Sequence, residues 1–177
     1  MADQDLRVRL DNVRLSFPHI AEPQVQKDDQ GKDKAPRYNA EFILTPDHPG
    51  WARYHAAVQA VAAQKWKDKA PLVLNMLQNE RNKRKWGNGN EKVKKSTMQP
   101  YEGYVGNFYI GAASERMPQI FDAAGNLIPA DNTMACKQEA RRMYGGCRVN
   151  VVVKPWCWEN NKGGNGVSND FIAIQFL

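Results

Sequence analysis

Tyr144-Gly145-Gly146-Cys147-Arg148-Val149-Asn150-Val151-Val152-Val153-Lys154-Pro155-Trp156-Cys157-Trp158 decides how this chain folds. Successive side chains of a strand point to opposite faces. Val149, Val151 and Val153, followed by Pro155 and Cys157, therefore form one apolar face fit for a core. Arg148, Asn150, Val152, Lys154, Trp156 and Trp158 form the other, with cations toward one end and two indoles at the other. Two readings fit that second face. Bases stack on indoles while Arg and Lys meet phosphates, which suits a single-stranded nucleic acid. Alternatively, the two tryptophans close a second apolar cluster under a loop.

Composition narrows the choice. A chain of 177 residues is one domain, residues 1–177, large enough to bury a core without disulfides or metals. A net charge of +6 favours a polyanionic partner. Cys136, Cys147 and Cys157 form no CxxC pair, and with only His19, His48 and His55 beside them they argue against zinc and for reduced thiols. No signal-peptide pattern and no apolar run of membrane-spanning length is present, so a soluble intracellular protein is expected.

Outward from the quoted stretch, the pattern is mostly that of strands. Arg7 to Phe17 reads as one strand whose apolar parity changes, Val8 and Leu10 on one side of Asp11-Asn12 and Val13, Leu15 and Phe17 on the other. A bulge there restores a single core face. Pro18 to Pro36 is polar and predicts a mobile surface loop. Tyr38 to Leu44 alternates again as the hairpin partner of the first strand. Thr45 and Asp47 offer caps for a helix over Trp51 to Trp66, and Pro71 to Leu77 suits a second, shorter one. Met98 to Ser114 is strand-like, with Tyr104 and Tyr109 of opposite parity. Pro118 to Asp122 and Asn126 to Pro129 flank a hairpin at Ala124-Gly125, and Lys137 to Arg142 supplies a helical turn or two. Asn160 to Gly166 is a flexible turn before a last strand, Phe171 to Leu177, with Ile172, Ile174 and Phe176 facing one way.

The stretch Asn79 to Lys95 carries Arg81, Lys83, Arg84, Lys85, Lys92, Lys94 and Lys95 around Trp86 and Gly87-Asn88-Gly89-Asn90. A charge run is ordinarily a solvated loop, but an exposed indole needs a partner more than a lysine does. A binding hairpin or arm is therefore expected, with Trp86 as a stacking platform. Catalytic motifs are missing. The glycine run at Gly163 lacks the Lys-Ser/Thr of a phosphate-binding loop, Ser96, Ser114 and Ser168 sit in no nucleophile elbow, and Asp122, Asp131 and Asp170 show no metal-sharing spacing. No cofactor is expected.

Read in order, the chain offers Leu15-Ser16-Phe17-Pro18, Tyr38-Asn39-Ala40-Glu41-Phe42, and a helix holding Trp51 and Trp66. Tyr104-Val105-Gly106-Asn107-Phe108-Tyr109-Ile110, Ala113-Ser114-Glu115-Arg116-Met117-Pro118, Tyr144-Gly145-Gly146 and Gly166-Val167-Ser168 follow. This ordered set resembles the single-stranded DNA-binding proteins of tailed bacteriophages, a divergent OB-fold family. The resemblance implies a mainly β fold: an OB-type five-stranded barrel with extra hairpin elements and one or two inserted helices. It implies binding of single-stranded DNA with little sequence preference, no enzymatic activity, and a role in phage DNA replication, recombination or repair in the cytoplasm of the infected bacterial host. Phage replication or recombination proteins are implied partners, and the protein is expected to be a monomer or weak homo-oligomer.

The nucleic-acid-binding residues expected are Arg148, Asn150, Lys154, Trp156 and Trp158 on one strand, Tyr104 and Tyr109 on another, and Lys83, Arg84, Lys85, Trp86 and Lys94 in the basic stretch. A single-stranded RNA-binding module and a metal-dependent phage nuclease or recombination enzyme are the alternatives.

Overall fold

A computed structural model describes residues 5–177. Seven strands form one sheet: β1 (Val8–Gln24), β2 (Arg37–Leu44), β3 (Trp86–Asn88), β4 (Phe108–Ser114), β5 (Gln119–Phe121), β6 (Arg148–Glu159) and β7 (Asn165–Phe176). Their order across the sheet is β3-β4-β2-β1-β6-β7-β5. The alternation in β6 holds: Val149, Val151, Val153 and Pro155 are buried, while Arg148, Lys154 and Trp156 are exposed.

β1 bends where the sequence changes parity. Its pairing with β6 slips between Leu10 and Val13, so Val8 and Leu10 on one side and Val13 and Leu15 on the other all reach the core. Asn12 takes the left-handed conformation at φ 52°, which short polar side chains tolerate, and its N–H donates to Asn150 Oδ1 at 2.9 Å. The strand then runs on past Pro18 to Gln24, where a loop was expected. The partner explains it: Asn39 and Arg37 of β2 continue to pair with His19 and Gln24. The rest of the polar segment forms an arm, bridged at Lys27 and Asp33.

The α-helix α1 (Pro49–Trp66) packs Tyr54, Val58 and Ala62 onto the sheet. Its cap is neither Thr45 nor Asp47 but His48, whose Nδ1 accepts the Gly50 N–H at 2.9 Å. Nε2 is then the protonated nitrogen and donates to the Asp11 carbonyl at 2.7 Å, pinning the helix start to the bend in β1. Tyr54 is fully buried, and its hydroxyl donates to Asn169 Oδ1 at 2.9 Å. Each fully buried Leu, Ile or Phe on this interface contributes about 1.5–3 kcal/mol.

Two shorter helices follow. The expected second one is α2 (Ala70–Leu77), and the helical turn or two expected at Lys137 to Arg142 is a longer helix, α3 (Thr133–Arg141), which begins four residues earlier. Asn132 Oδ1 caps α3 by accepting the Ala135 N–H, and Cys136 and Ala140 enter the core.

Two further expectations are corrected. Of Met98 to Ser114 only Phe108–Ser114 is strand, because the segment before it forms turns held by bonds such as Asn107 N to Tyr104 O at 3.0 Å. In β7, pairing slips opposite Val152 and Val153, so Ile172 becomes an extra residue. Phe171 and Ile174 therefore fill the core and Ile172 is only half-buried.

The five long strands run β4-β2-β1-β6-β7, and the two ends of that run approach each other. Among the described residues no main-chain ladder joins β4 to β7. Side chains do so instead: Ser114 Oγ accepts the Phe171 N–H at 2.8 Å, and Asn169 Nδ2 donates to the Gly111 carbonyl at 2.7 Å.

Candidate nucleic-acid interface

A groove of about 720 Å³ lies over the line where β4 meets β7. Its floor is made of small residues, Gly111 and Ala113 on β4 and Ser168 on β7, and Trp156 on β6 forms one wall. The arm between β1 and β2 forms the opposite wall with Lys32, Lys34 and Arg37, and Lys85 reaches in from the strand-edge side. Small floor residues let a flat ring or a sugar-phosphate chain approach the sheet. A Cβ added at Gly111 would meet only ordinary van der Waals contacts, the nearest being Glu41 Cγ at 3.7 Å, so nothing crowds the floor there.

The electrostatics favour an anion. Three carboxylates line the groove, and each is already engaged. Asp28 accepts the N–H groups of Gln30 and Lys32, both at 2.9 Å, and Asp33 pairs with Lys27 at 2.7 Å. Glu41 accepts from Lys92 Nζ at 2.6 Å and from the Tyr104 hydroxyl at 2.5 Å. Arg37 lies 3.8 Å from Glu115. Lys32, Lys34 and Lys85 make no ion pair among the described residues. Loss of hydration against the groove wall lowers the Lys85 pKa; Glu41 offsets part of this, while Lys34, Lys92 and Arg37 push it further down. These cations repel one another until a polyanion lies among them.

Of the residues singled out by sequence, Trp156 and Lys85 meet in this groove. Trp156 is 39% exposed, enough to offer a ring face. Trp158 is half-buried, its indole spread over Gly166, where a Cβ would collide with the ring. Arg148 and Lys154 stay exposed farther along β6, Arg148 donating to the Asn12 carbonyl at 3.2 Å. Asn150 spends its amide internally, accepting from Asn12 N and donating to Gln175 Oε1 at 3.0 Å.

The basic stretch divides differently than expected. Arg84 is buried, its guanidinium donating to the carbonyls of Leu77, Gln78 and Trp86. It knits the turn after α2 to β3, so it is not free to meet a phosphate. Trp86 is half-buried on β3, edge-on to Tyr54 and His55 and packed against the core. Lys83 pairs with Glu80 at 2.7 Å. Tyr104 is fully buried and Tyr109 nearly so; both pack with Ile43 in a second apolar cluster, with no ring face open to a base. Lys94 is exposed, 5.9 Å from the Tyr101 ring centre.

The groove residues that sequence reasoning missed are Lys32, Lys34, Arg37 and the small floor. The signal for the first three was a cluster of cations in the connection between two strands already read as a hairpin. The floor gave none, because a glycine or alanine in a strand looks the same wherever it faces.

The description Enterobacter phage Enc34, ssDNA-binding protein, belongs to a family model that matches residues 6–177. The chain belongs to this family. The chain is also similar to the putative protein p50 of Acyrthosiphon pisum secondary endosymbiont phage 1. That protein is 30% identical over 174 residues, covering 97% of this chain and 83% of its own length. The fold is similar to that of the single-stranded DNA-binding protein from bacteriophage Enc34 in complex with ssDNA. There the TM-score is 0.62 at 19% identity, covering 98% of this chain and 87% of that one. It is also similar to gp2.5, a single-stranded DNA binding protein encoded by bacteriophage T7, with a TM-score of 0.51 at 8% identity over 96% of this chain and 84% of that one. At such identities the two solved structures speak for the shared Enc34-type fold alone. No helix among the described residues is long and apolar enough to cross a membrane.

Proposed function

We propose that this chain binds single-stranded DNA in the groove between the β1–β2 arm and Trp156, without strong sequence preference and without catalysing a reaction. Membership of the Enc34 family supports the ligand. The observation that carries the site is the meeting of one exposed indole with three lysines that have no ion-pair partner among the described residues, over a floor without bulky side chains. Bases stacked on an aromatic ring contribute about 1–3 kcal/mol each, and the lysines meet the phosphates. Of the groove side chains able to read a base edge, Arg37 leans on Glu115, and Gln26 and Asn39 both donate to Gln24 Oε1, so backbone and stacking contacts dominate.

In this reading the five long strands are an OB-type barrel whose β4–β7 closure is made by Ser114 and Asn169. The groove then falls on the face and first-hairpin loop by which such barrels hold oligonucleotides. Protection of single strands during phage DNA replication, recombination or repair, in the cytoplasm of the infected host, is the corresponding role.

The test is a fluorescence titration with an oligothymidylate, its RNA equivalent and a duplex of equal length. Saturable quenching by the single DNA strand, largely lost in Trp156→Phe, is the expected result. No binding to the DNA strand at physiological salt would overturn the proposal, and preference for RNA would reassign the ligand.

A further inference from the structure

The groove does not account for a second aromatic and cationic patch beside it. Phe17 is 44% exposed on β1, and it holds a left-handed backbone conformation at φ 47°. A bulky residue rarely adopts that conformation, and such strain persists only where the surroundings impose it. Here the pairing of β1 with β2 slips between Ser16 and His19, which turns Phe17 out of the core alternation. Its ring meets that of Tyr101 edge-to-face at 5.0 Å. Tyr101 is half-buried against the Ile43–Tyr104–Tyr109 cluster, so the pair has a rigid backing.

Cations flank the rings. Lys94 stands over Tyr101 on a turn closed by the bonds Lys94 N to Gln99 O at 2.8 Å and Tyr101 N to Lys92 O at 3.1 Å. Lys95 is exposed beside it. Arg14 lies along Gly103, its one carboxylate partner among the described residues being Glu102 at 3.1 Å, an acid 90% exposed and readily replaced by a phosphate. The patch also adjoins the groove. Ser16, the residue before Phe17, pairs across the ladder with Glu41, which lines the groove and is held there by Lys92 and Tyr104.

We propose that Phe17 and Tyr101, flanked by Lys94 and Arg14, form a second base-stacking subsite that receives the same DNA strand after it leaves the groove past Glu41. The proposal rests on the groove reading, but it assigns a separate set of residues and a longer footprint. The strand turns from the arm and Trp156 across β2 to the end of the straight part of β1. The bulge at Phe17 serves to present a ring at that point. A surface phenylalanine fixed in this way has little rotamer freedom left to lose when a base stacks on it.

The test uses the full chain with oligothymidylates of increasing length, one series carrying 5-bromouracil for photocrosslinking. Phe17→Asn removes the ring while keeping a residue that tolerates the left-handed conformation, and Tyr101→Ala removes the other ring. Each is expected to weaken binding of long oligonucleotides about 5- to 150-fold, the range of one lost stacked base. Each should also shorten the length at which affinity reaches its plateau, with Trp156 quenching at saturation unchanged. Crosslinks in wild type are expected at Phe17 or Tyr101 as well as at Trp156. Wild-type affinity and length dependence in both variants, with no crosslink at either ring, would overturn the subsite while leaving the groove standing. Failure of wild type to bind any strand would instead overturn the groove reading and this proposal with it. Should Phe17→Asn not fold, Tyr101→Ala and the crosslink positions decide.

Discussion

Replacing Lys32, Lys34 and Lys85 with glutamine removes three groove cations that have no acidic partner among the described residues while keeping a polar side chain only one atom shorter. Each single-strand phosphate contact releases condensed counterions and contributes about 0.7 to the slope of log affinity against log salt. If all three lysines meet phosphates, the slope flattens by about 2. Between about 50 and 200 mM salt the wild type then loses about 20-fold more affinity than the variant does, and the two binding curves converge as salt rises. The control lowers the net charge of +6 by the same amount at cations that are already paired. These are Lys83 with Glu80 at 2.7 Å, Lys137 with Glu22 at 2.8 Å and Arg142 with Glu139 at 3.0 Å. A general attraction by net charge predicts equal flattening in both triple variants. A groove predicts flattening only in the first. Fluorescence anisotropy of a labelled oligothymidylate across a salt series reads the slopes directly. Equal slopes for wild type and the groove variant, or equal flattening in the control, would refute the reasoning.

Three further outcomes follow from the same geometry. Arg84→Met should destabilise the fold by several kcal/mol, because each of the carbonyls of Leu77, Gln78 and Trp86 left unpaired costs about 1–3 kcal/mol; urea denaturation with a wild-type midpoint would contradict the structural role. Because Lys85 has a lowered pKa and a phosphate favours its charged form, DNA affinity should fall as pH rises through a range below that of ordinary lysines; Lys85→Arg, charged throughout, should remove that alkaline decline, and an unchanged pH profile would argue against it. Gly166→Ala should push the Trp158 indole off β7 and shift its emission to the red, whereas an unaltered spectrum would mean that the ring does not lie across that glycine.

The parity of side chains was legible because strand alternation is local. It gave β6, the bend at Asp11-Asn12 and the β1–β2 hairpin directly. What failed was information held by a partner strand or a distant carbonyl. Pro18 to Gln24 looks like loop until β2 supplies its bonds, and Ile172 looks like core until β6 sets the register. The charged stretch was the hardest to read. Lys85, Arg84 and Lys83 are consecutive in chemistry and scattered in fate: one faces the groove, one is sunk under three carbonyls, and one pairs with its helical neighbour Glu80. Composition records the charge of each and says nothing of which way a short turn aims it. Trp86 and Trp156 differ in the same way, the first set against Tyr54 and the second against solvent.

The side-chain closure between β4 and β7 has a consequence for what the groove can hold. Its two banks stand on opposite sides of that line, Gly111 and Ala113 on one and Ser168 and Asn169 on the other. A ladder resists separation as a row of coupled main-chain bonds. Two hydroxyl and amide tethers yield more softly and can re-form a few tenths of an ångström apart. If the groove binds DNA as proposed, its binding face lies along a line of the sheet that side-chain bonds hold and no ladder does. Purine and pyrimidine differ in width, and a bed that widens at small cost can take either. Tolerance of sequence would then come from the elasticity of the scaffold as much as from the engagement of Gln24, Gln26, Asn39 and Arg37 with other side chains.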